Sequence, residues 1–517
     1  MNRYALAAIV LSGHVFCVGT LDAGGDRQSP AEAIDVSSHP QLFLDDFLIA
    51  DTHNVQRVVR QPVRHPANPL ITNDRPWEQR MMSVYGTVLY DDQARKYRCW
   101  YSASESDAGI PDTPEAPGTA EYYQCYAESE DGLRWIKPNV GSQQFGRHKE
   151  HNIVVSDAHG LCVLPIRDPK GPVLRYLGVG GSTLVTSADG IAWQKVASGE
   201  NNWRRAVGKN DTSSCVIRWK GEYLAFVRFQ GQERDVVDPE TGQTWRGVMR
   251  KVGLSTSSDG VHWTPKQRVL ASDEADGYPW SQPYGISVTP YGDVLIGLLP
   301  ILRLQPQAKN NSYGALEVQL VVSRDGRNWH RVANRAPFMK PTHLENVSGK
   351  RPWDMEVYPS TTLLVRDQKV HLYYTGKNLQ HGEKRLFPDR SLKSTFGIGL
   401  ATLPADRFVA LRPGDAGSEA MLQTKPLTSA GNELLVNADV AASDLRVELL
   451  DSKGAVLEGF AADASRAIRH DPLRYRVRWI SDAGKERTLG DAASTSPIVV
   501  RLRWRDGDLY AFQAVRD

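Results

Sequence analysis

Ser129-Glu130-Asp131-Gly132-Leu133-Arg134-Trp135 returns three times, as Ser187-Ala188-Asp189-Gly190-Ile191-Ala192-Trp193, Ser257-Ser258-Asp259-Gly260-Val261-His262-Trp263 and Ser323-Arg324-Asp325-Gly326-Arg327-Asn328-Trp329. The shared pattern is S-x-D-G-x-x-W, and its aspartates stand 58, 70 and 66 positions apart. That period suits a repeated unit of several strands and is too long for a solenoid of helical pairs. Each copy follows a short apolar run, for example residues 122–127 or 316–322. Asp-Gly between two such runs marks a tight turn, because Gly tolerates positive φ and Asp accepts hydrogen bonds from the backbone that follows. Each phrase is therefore expected to be a hairpin turn whose Trp begins the next strand.

Upstream of each phrase lie two more apolar runs. Residues 84–90 turn through Asp91-Asp92 into 97–101, residues 161–166 through Asp168-Pro169 into 174–179, residues 214–219 through Lys220-Gly221 into 223–229, and residues 285–289 through Tyr291-Gly292 into 294–299. A fifth hairpin, 361–365 with 370–374, leads to a strand at 396–403 and carries Pro404-Ala405-Asp406-Arg407-Phe408 in place of the phrase. Five four-stranded units with Gly and Trp punctuation predict an all-β chain whose main body, residues 40–413, is a five-bladed β-propeller. Closing such a ring takes strands from both ends of the repeat array, and the apolar segment 41–50 is expected to join the last blade. Beyond Leu411-Arg412-Pro413-Gly414-Asp415 the phrase never returns. Alternating runs at 433–440, 445–450, 473–479, 498–504 and 509–512 predict a C-terminal β-sandwich over 414–517.

The charges balance, 62 Lys+Arg against 60 Asp+Glu, so no bulk field draws the chain to nucleic acid or an anionic membrane. The expected partner is neutral or recognised locally. Thirteen Trp and nineteen Tyr supply blade cores first and sugar-stacking surfaces second. Residues 1–24 read as a secretory signal, with Arg3 followed by apolar runs at 5–11 and 15–18, which predicts a secreted or periplasmic protein. Ser12, Gly13 and His14 interrupt that run, which is too short to span a bilayer, and Phe16 disfavours a lipid anchor at Cys17. No later stretch reads as a membrane span. Cys99, Cys125, Cys162 and Cys215 admit three pairings in an oxidising compartment; Cys99 and Cys125 sit on successive strands, and buried free thiols explain the same residues equally well. No spacing suggests zinc.

The signal-like start, Leu42-Phe43-Leu44-Asp45-Asp46, Asn68-Pro69-Leu70-Ile71, Pro76-Trp77-Glu78, the Tyr-Gly-Thr-Val-Leu-Tyr-Asp-Asp hairpin at 85–92 and the four phrases together resemble secreted glycosidase-like proteins abundant in planctomycetes and related bacteria. Those are distant relatives of the arabinanase, invertase and levansucrase superfamily. The tail, with Leu434-Leu435-Val436-Asn437-Ala438-Asp439 and Asp508-Leu509-Tyr510-Ala511-Phe512, is similar to the sandwich those proteins carry. The resemblance implies a five-bladed propeller with a carboxylate-lined site at one end of its axis. It implies no organic cofactor and allows an axial calcium ion, for which no ligand set is legible. The phrase also resembles the sialidase Asp-box, S-x-D-x-G-x-x-W, but lacks the residue between Asp and Gly, and sialidases have six blades and an arginine triad.

In a propeller the first strand of each blade lines the axis, so side chains where those strands begin converge on one funnel. Glu78 stands there in blade 1, Asp157 and His159 in blade 2, Asp211 in blade 3, Trp280, Gln282 and Tyr284 in blade 4, and Asp354 and Glu356 in blade 5. Glycoside hydrolysis needs one carboxyl kept protonated for the leaving oxygen and another ionised as base or nucleophile, and a third acid nearby pushes one pKa upward. Glu78, Asp211 and Glu356 are the catalytic candidates, Asp211 foremost. Trp77, Arg80, His159, Arg228, Trp280, Tyr284 and Asp354 are the candidate substrate contacts. The acids and Arg228 each have a structural alternative: Asp211 as a turn cap after Asn210, Glu78 paired with Arg80, Asp354 and Glu356 bridged to Lys350 or Arg351, Arg228 neutralising a buried acid. Arg167-Asp168-Pro169-Lys170 spells the Arg-Asp-Pro of invertase-like enzymes but falls in a turn. No phosphate-binding loop, nucleophile elbow or zinc-spaced His pair occurs. The expected function is hydrolysis of a polysaccharide or oligosaccharide by paired carboxylates. The alternatives are a carbohydrate-binding propeller without catalysis and, further off, a sialidase-like enzyme.

Overall fold

In the computed structural model the chain is described over residues 33–104, 122–141, 149–156, 158–166, 176–208, 210, 215–237, 242, 244–305, 312–342, 351–383, 393–440, 444–495 and 497–516. The signal-like segment, Asp157, the Arg167–Lys170 stretch and Asp211 lie outside these residues. No helix among the described residues is long and apolar enough to cross a membrane.

Five antiparallel sheets follow one another along the chain, each ordered from an inner strand outwards. Blade 1 splits its inner strand into Met81–Ser83 and Val88–Asp91, then adds Lys96–Ser104, Tyr123–Ser129 and Ile153–Ser156. Blade 2 is Cys162–Pro165, Tyr176–Gly180, Thr183–Ser187 and Trp193–Lys195. Blade 3 is Cys215–Trp219, Glu222–Val237, Thr244–Ser257 and Gln267–Leu270. Blade 4 begins with Ser281–Pro283 and Ser287–Tyr291, continues through Val294–Leu304 and Gly314–Ser323, and ends in His330–Arg331 and Pro337–Met339. Blade 5 has Glu356–Pro359 and Leu364–Arg366 innermost, then Lys369–Lys377 and Phe396–Pro404.

The inner strands join into a ring. Gly86 bridges Leu161, the Cys162 sulfur accepts from Val216 N at 3.2 Å, and the Cys215 sulfur accepts from Val288 N at 3.2 Å. Leu363 N donates to Thr289 Oγ1 at 2.8 Å, and Thr361 N donates to Gly86 O at 2.8 Å, which returns the circuit to blade 1. At Gly86 the approach is too close for any side chain, since a Cβ would fall 2.1 Å from Trp100 O.

The outermost strand of blade 5 comes from the other end of the array. Val63–Arg64 and Ile71–Thr72 pair with Phe396–Pro404, with Ile71 opposite Ile398. This corrects the expectation for residues 41–50. Gln41–Leu42 instead pairs with Asp508–Val515, and Ile49–His53 with Ala420–Thr424. The physical reason is the apolar content of that segment: Phe43 and Leu48 are buried in the same core as Trp479, Trp504 and Phe512. That second body is two facing sheets, one containing Val55–Val59, Val409–Pro413, Glu433–Asp439 and Asp508–Val515, the other Ile49–His53, Ala420–Thr424, Arg446–Leu450 and Val499–Trp504. Val409–Pro413 thus already belongs to the sandwich, paired with Val55–Val59.

The four Asp-Gly phrases fold alike. In each, one aspartate oxygen accepts the second and third following backbone N–H groups at 2.7–2.8 Å. The Ser hydroxyl accepts from the Gly N–H at 2.8–2.9 Å, and the indole N–H donates to the Gly carbonyl at 3.0–3.1 Å. The glycines lie at φ +72° to +79°, where a Cβ is strained. Three of the turns also grip the preceding blade: Trp100 Nε1 donates to Gly190 O at 2.7 Å, Tyr373 Oη to Gly132 O at 2.9 Å, and Trp219 Nε1 to Arg324 O at 3.2 Å.

Two outcomes follow from this geometry. Trp263 is buried and packs edge-on to Trp203 at 5.1 Å, so Trp263→Ala is expected to destabilise by about 3–5 kcal/mol in chemical denaturation; an unchanged midpoint would refute the packing role. For Asp325, partial burial works against ionisation, but the N–H groups of Asn328 and Arg327, the Asn328 amide and the Ser323 hydroxyl outweigh it and bring the carboxyl down to about 2. An unfolded aspartate titrates near about 3.9. The turn's contribution is therefore present above about pH 4 and is lost as pH falls towards 2. The stability gap between the parent and Asp325→Asn should narrow over that window; a gap independent of pH would contradict it.

Cys99, Cys125, Cys162 and Cys215 are all buried and unpaired. Cys99 and Cys125 are out of register, because Cys125 stands opposite Tyr101 and Cys99 opposite Ala127. Burial pushes both thiols upward.

Candidate functional site

The innermost strands start at the face opposite the Asp-Gly turns: Met81 pairs with Ser104, Ser281 with Arg303 and Glu356 with Lys377, while the hairpins close at Asp91–Lys96, Tyr291–Val294 and Arg366–Lys369. At that face Tyr85, Tyr284 and Tyr358, from blades 1, 4 and 5, pack edge to face. Tyr85 and Tyr358 lie 4.5 Å apart at 89°, Tyr284 and Tyr358 5.7 Å apart at 79°. His159 meets Tyr85 edge-on at 6.0 Å and stacks on Tyr122 at 3.7 Å. His381 stands against Tyr284 at 4.8 Å. Guanidinium groups cover this aromatic wall: Arg228 lies 4.7 Å and Arg250 5.6 Å from the Tyr284 ring, and Arg80 5.8 Å from Tyr122. Arg228 Nη2 donates to Tyr284 O at 2.6 Å, and Arg250 Nη1 to Gln282 Oε1 at 3.0 Å. Trp280 packs against the same cluster.

Glu356 opens the inner strand of blade 5 and is 7 % exposed. Its Oε1 faces His381 Nδ1 at 3.3 Å, and Lys377 Nζ stands 3.9 Å from Oε2, beyond hydrogen-bond reach. Among the described residues Oε2 receives no hydrogen bond. Burial alone would favour the neutral acid, but His381 and then Lys377 outweigh it and hold Glu356 below the usual carboxylate range. Burial also holds His381 below its ordinary value against the pull of Glu356. At neutral pH the pair is therefore a carboxylate accepting from the Nδ1–H of a neutral imidazole.

Of the residues singled out in the sequence, His159, Arg228, Tyr284, Trp280, Glu356 and, through Tyr122, Arg80 are brought to this face. Glu78 and Trp77 are not. Glu78 is fully buried at the seam of blades 5 and 1, where Oε2 accepts from Lys137 Nζ at 2.8 Å and Arg75 N at 2.9 Å, and Oε1 from Tyr101 Oη at 2.7 Å. Its cation is Lys137 rather than Arg80. Trp77 Nε1 donates to Asn152 Oδ1 at 3.0 Å in the same seam. Asp354 is buried and accepts from Arg64 Nε at 3.0 Å, on the strand that closes blade 5, while Arg351 pairs with Glu383. Asn210 Oδ1 accepts from Arg228 N at 3.1 Å, so the residue before Asp211 stands beside the site.

Sequence reasoning missed Tyr85, Tyr122, Arg250, Tyr358, Lys377 and His381. A signal existed for two of them: Tyr85-Gly86 and Tyr284-Gly285 occupy matching places in two blades, and Tyr358 follows Glu356 by two residues on one strand face. Arg250, Lys377 and His381 come from outer strands and loops, where no period marks them. Among the described residues no group of three or more His, Cys, Asp or Glu side chains could hold a metal ion.

No protein-family model and no curated protein matches the chain. Solved structures similar to it include a glycosyl hydrolase from Bacteroides ovatus (TM-score 0.41, 13% identity, 69% of this chain and 98% of that one). Two others are the β-1,2-mannobiose phosphorylase of Listeria innocua (0.40, 11%, 69% and 98%) and the catalytic domain of the GH62 α-L-arabinofuranosidase of Coprinopsis cinerea (0.36, 12%, 71% and 97%). Similarity of this order transfers neither activity nor residue role.

Proposed function

We propose that the protein is a secreted glycoside hydrolase whose axial face binds a sugar and cleaves its glycosidic bond with carboxylates. The observation that carries this reading is Glu356 itself: a buried, ionised carboxylate with one oxygen unpartnered, set in a wall of tyrosines and guanidinium groups. An unpartnered buried acceptor costs free energy until a donor reaches it, and a sugar hydroxyl or an attacking water is such a donor. Tyr122, Tyr278 and Trp280, half-buried beside the buried tyrosines, offer stacking for the apolar face of a pyranose, and the half-buried Arg80 and Arg250 offer forked donors to its oxygens. Being ionised, Glu356 suits the base or nucleophile and not the proton donor. Asp211, following Asn210 beside Arg228, is the candidate for the protonated carboxyl. A hydrolysis screen of the purified protein over a broad panel of glycosides tests the reading, and no cleavage of any of them would sink it.

A second reading, a carbohydrate-binding propeller without catalysis, is favoured by one fact: among the described residues, Glu356 is the one carboxylate that bears on the Tyr85 hydroxyl in the aromatic wall. Glycan-array binding without hydrolysis would select it.

A further inference from the structure

Between the outer strands of blade 2 and the segment 198–205 that leads to blade 3 runs a concavity of about 920 Å³, from Ser182 and Thr183 at the axial face past Lys195, Arg204 and Arg205 towards His262. We propose that this groove binds a stretch of anionic polysaccharide, one bearing carboxylate or sulfate groups.

The groove is built on a fixed support. The short helix Trp203–Val207 carries Arg204 and Arg205 outwards, while Trp203 is fully buried, lies edge-on to Trp263 and donates to Gly181 O at 3.2 Å. Asn202 clamps Trp263 from both sides, accepting from its N–H at 2.6 Å and donating to its carbonyl at 2.9 Å. Lys195, on the outer strand of blade 2, is exposed, as are both arginines. Among the described residues none of the three has an ion-pair partner and no carboxylate lines the groove. His262 is held by Asp259 at 2.8 Å and adds no free cation, and Glu200, the nearest acid in sequence, is not among the lining side chains.

Three unneutralised cations in one walled channel hold a positive potential that a polyanion lowers and a neutral ligand does not. The axial end of the groove fixes the class of polyanion. Gly181, next to Ser182, lies beside the backbone of His159, 3.8 Å from His159 N to a Cβ built on it, so a chain leaving the axial face passes directly into the groove. The choice of a polysaccharide over other polyanions rests on the glycosidase reading of that face; the charge of the groove does not.

The test is a binding titration with sulfated dextran, polygalacturonate, neutral dextran and duplex DNA. The parent is expected to bind the first two, more weakly as salt rises and the screening length shrinks below about 10 Å, and not to bind neutral dextran. Exposed ion pairs contribute up to roughly fivefold each in affinity. Lys195→Ala/Arg204→Ala/Arg205→Ala should therefore weaken binding by on the order of tenfold to a hundredfold at an unchanged melting temperature. Arg204→Lys/Arg205→Lys, which keeps the charge, should stay within about threefold of the parent and guards against misfolding. Preference for the sulfated or the uronate polymer identifies the acidic group. Undiminished binding in the triple variant, or no binding of either polymer, overturns the proposal, and DNA bound as tightly as the polysaccharides overturns the assigned class. Affinity, not hydrolysis, is the readout: a protein that binds these polymers yet cleaves no glycoside would uphold the groove and refute the enzyme.

Discussion

Glu356→Gln is expected to fold like the parent, to bind oligosaccharide nearly as well, and to lose about 10²- to 10⁴-fold in hydrolysis rate, the usual span of a general acid–base contribution. The amide keeps shape and removes the charge that His381 and Lys377 stabilise. Hydrolysis rate and calorimetric affinity for one oligosaccharide, measured in both proteins, decide it. Because the carboxyl is held below its ordinary value, the acidic limb of kcat/KM in the parent should lie below about pH 4.3, the reference value for glutamate. Full activity in the amide variant removes Glu356 from the chemistry.

A stability loss as large as that of Trp263→Ala is expected from Lys137→Met, about 3–5 kcal/mol, the range for removing one partner of a buried ion pair. Lys137 Nζ donates to Glu78 Oε2 at 2.8 Å, Asp74 Oδ1 at 2.7 Å and Thr72 O at 2.7 Å. Without it the fully buried Glu78 carboxylate keeps two hydrogen bonds and no cation. Thr72 belongs to the strand that closes blade 5, so the loss falls on ring closure. Lys137→Met/Glu78→Gln should recover part of the stability, since the stranded charge is gone. Denaturant unfolding reads both, and a single-variant loss below about 1 kcal/mol would show that the pair is dispensable.

The repeats were legible because their cause is local. Asp-Gly with a Trp three residues on writes a turn whose hydrogen bonds run within seven residues, and all four copies form that turn, although only Trp193 begins the next strand as read. The five hairpins and most sandwich strands were legible from alternation for the same reason. Closure was not, since residues 41–50 and 63–72 are both short apolar segments, and only the shape of the cores they enter separates them. The site was half legible. Glu356, His159 and Tyr284 sit where inner strands begin, a place the repeat announces. Glu78 satisfied the same positional rule, yet its side chain turns into the seam towards Lys137, a residue 59 positions away whose reach no pattern encodes.

The pairing of Val409 with Val59 has a consequence for how the chain is assembled. Everything between those two valines is one excursion that leaves and rejoins the sandwich on adjacent antiparallel strands. As the chain emerges from the ribosome, the propeller can close once residue 404 is out, whereas Val55–Val59 waits for Val409–Pro413, and Gln41–Leu42 for Asp508–Val515. Trimming the last strand would therefore expose an edge at both chain ends, while an excised 60–408 cassette would begin and end within one strand spacing, about 5 Å, ready for circular permutation or transplantation.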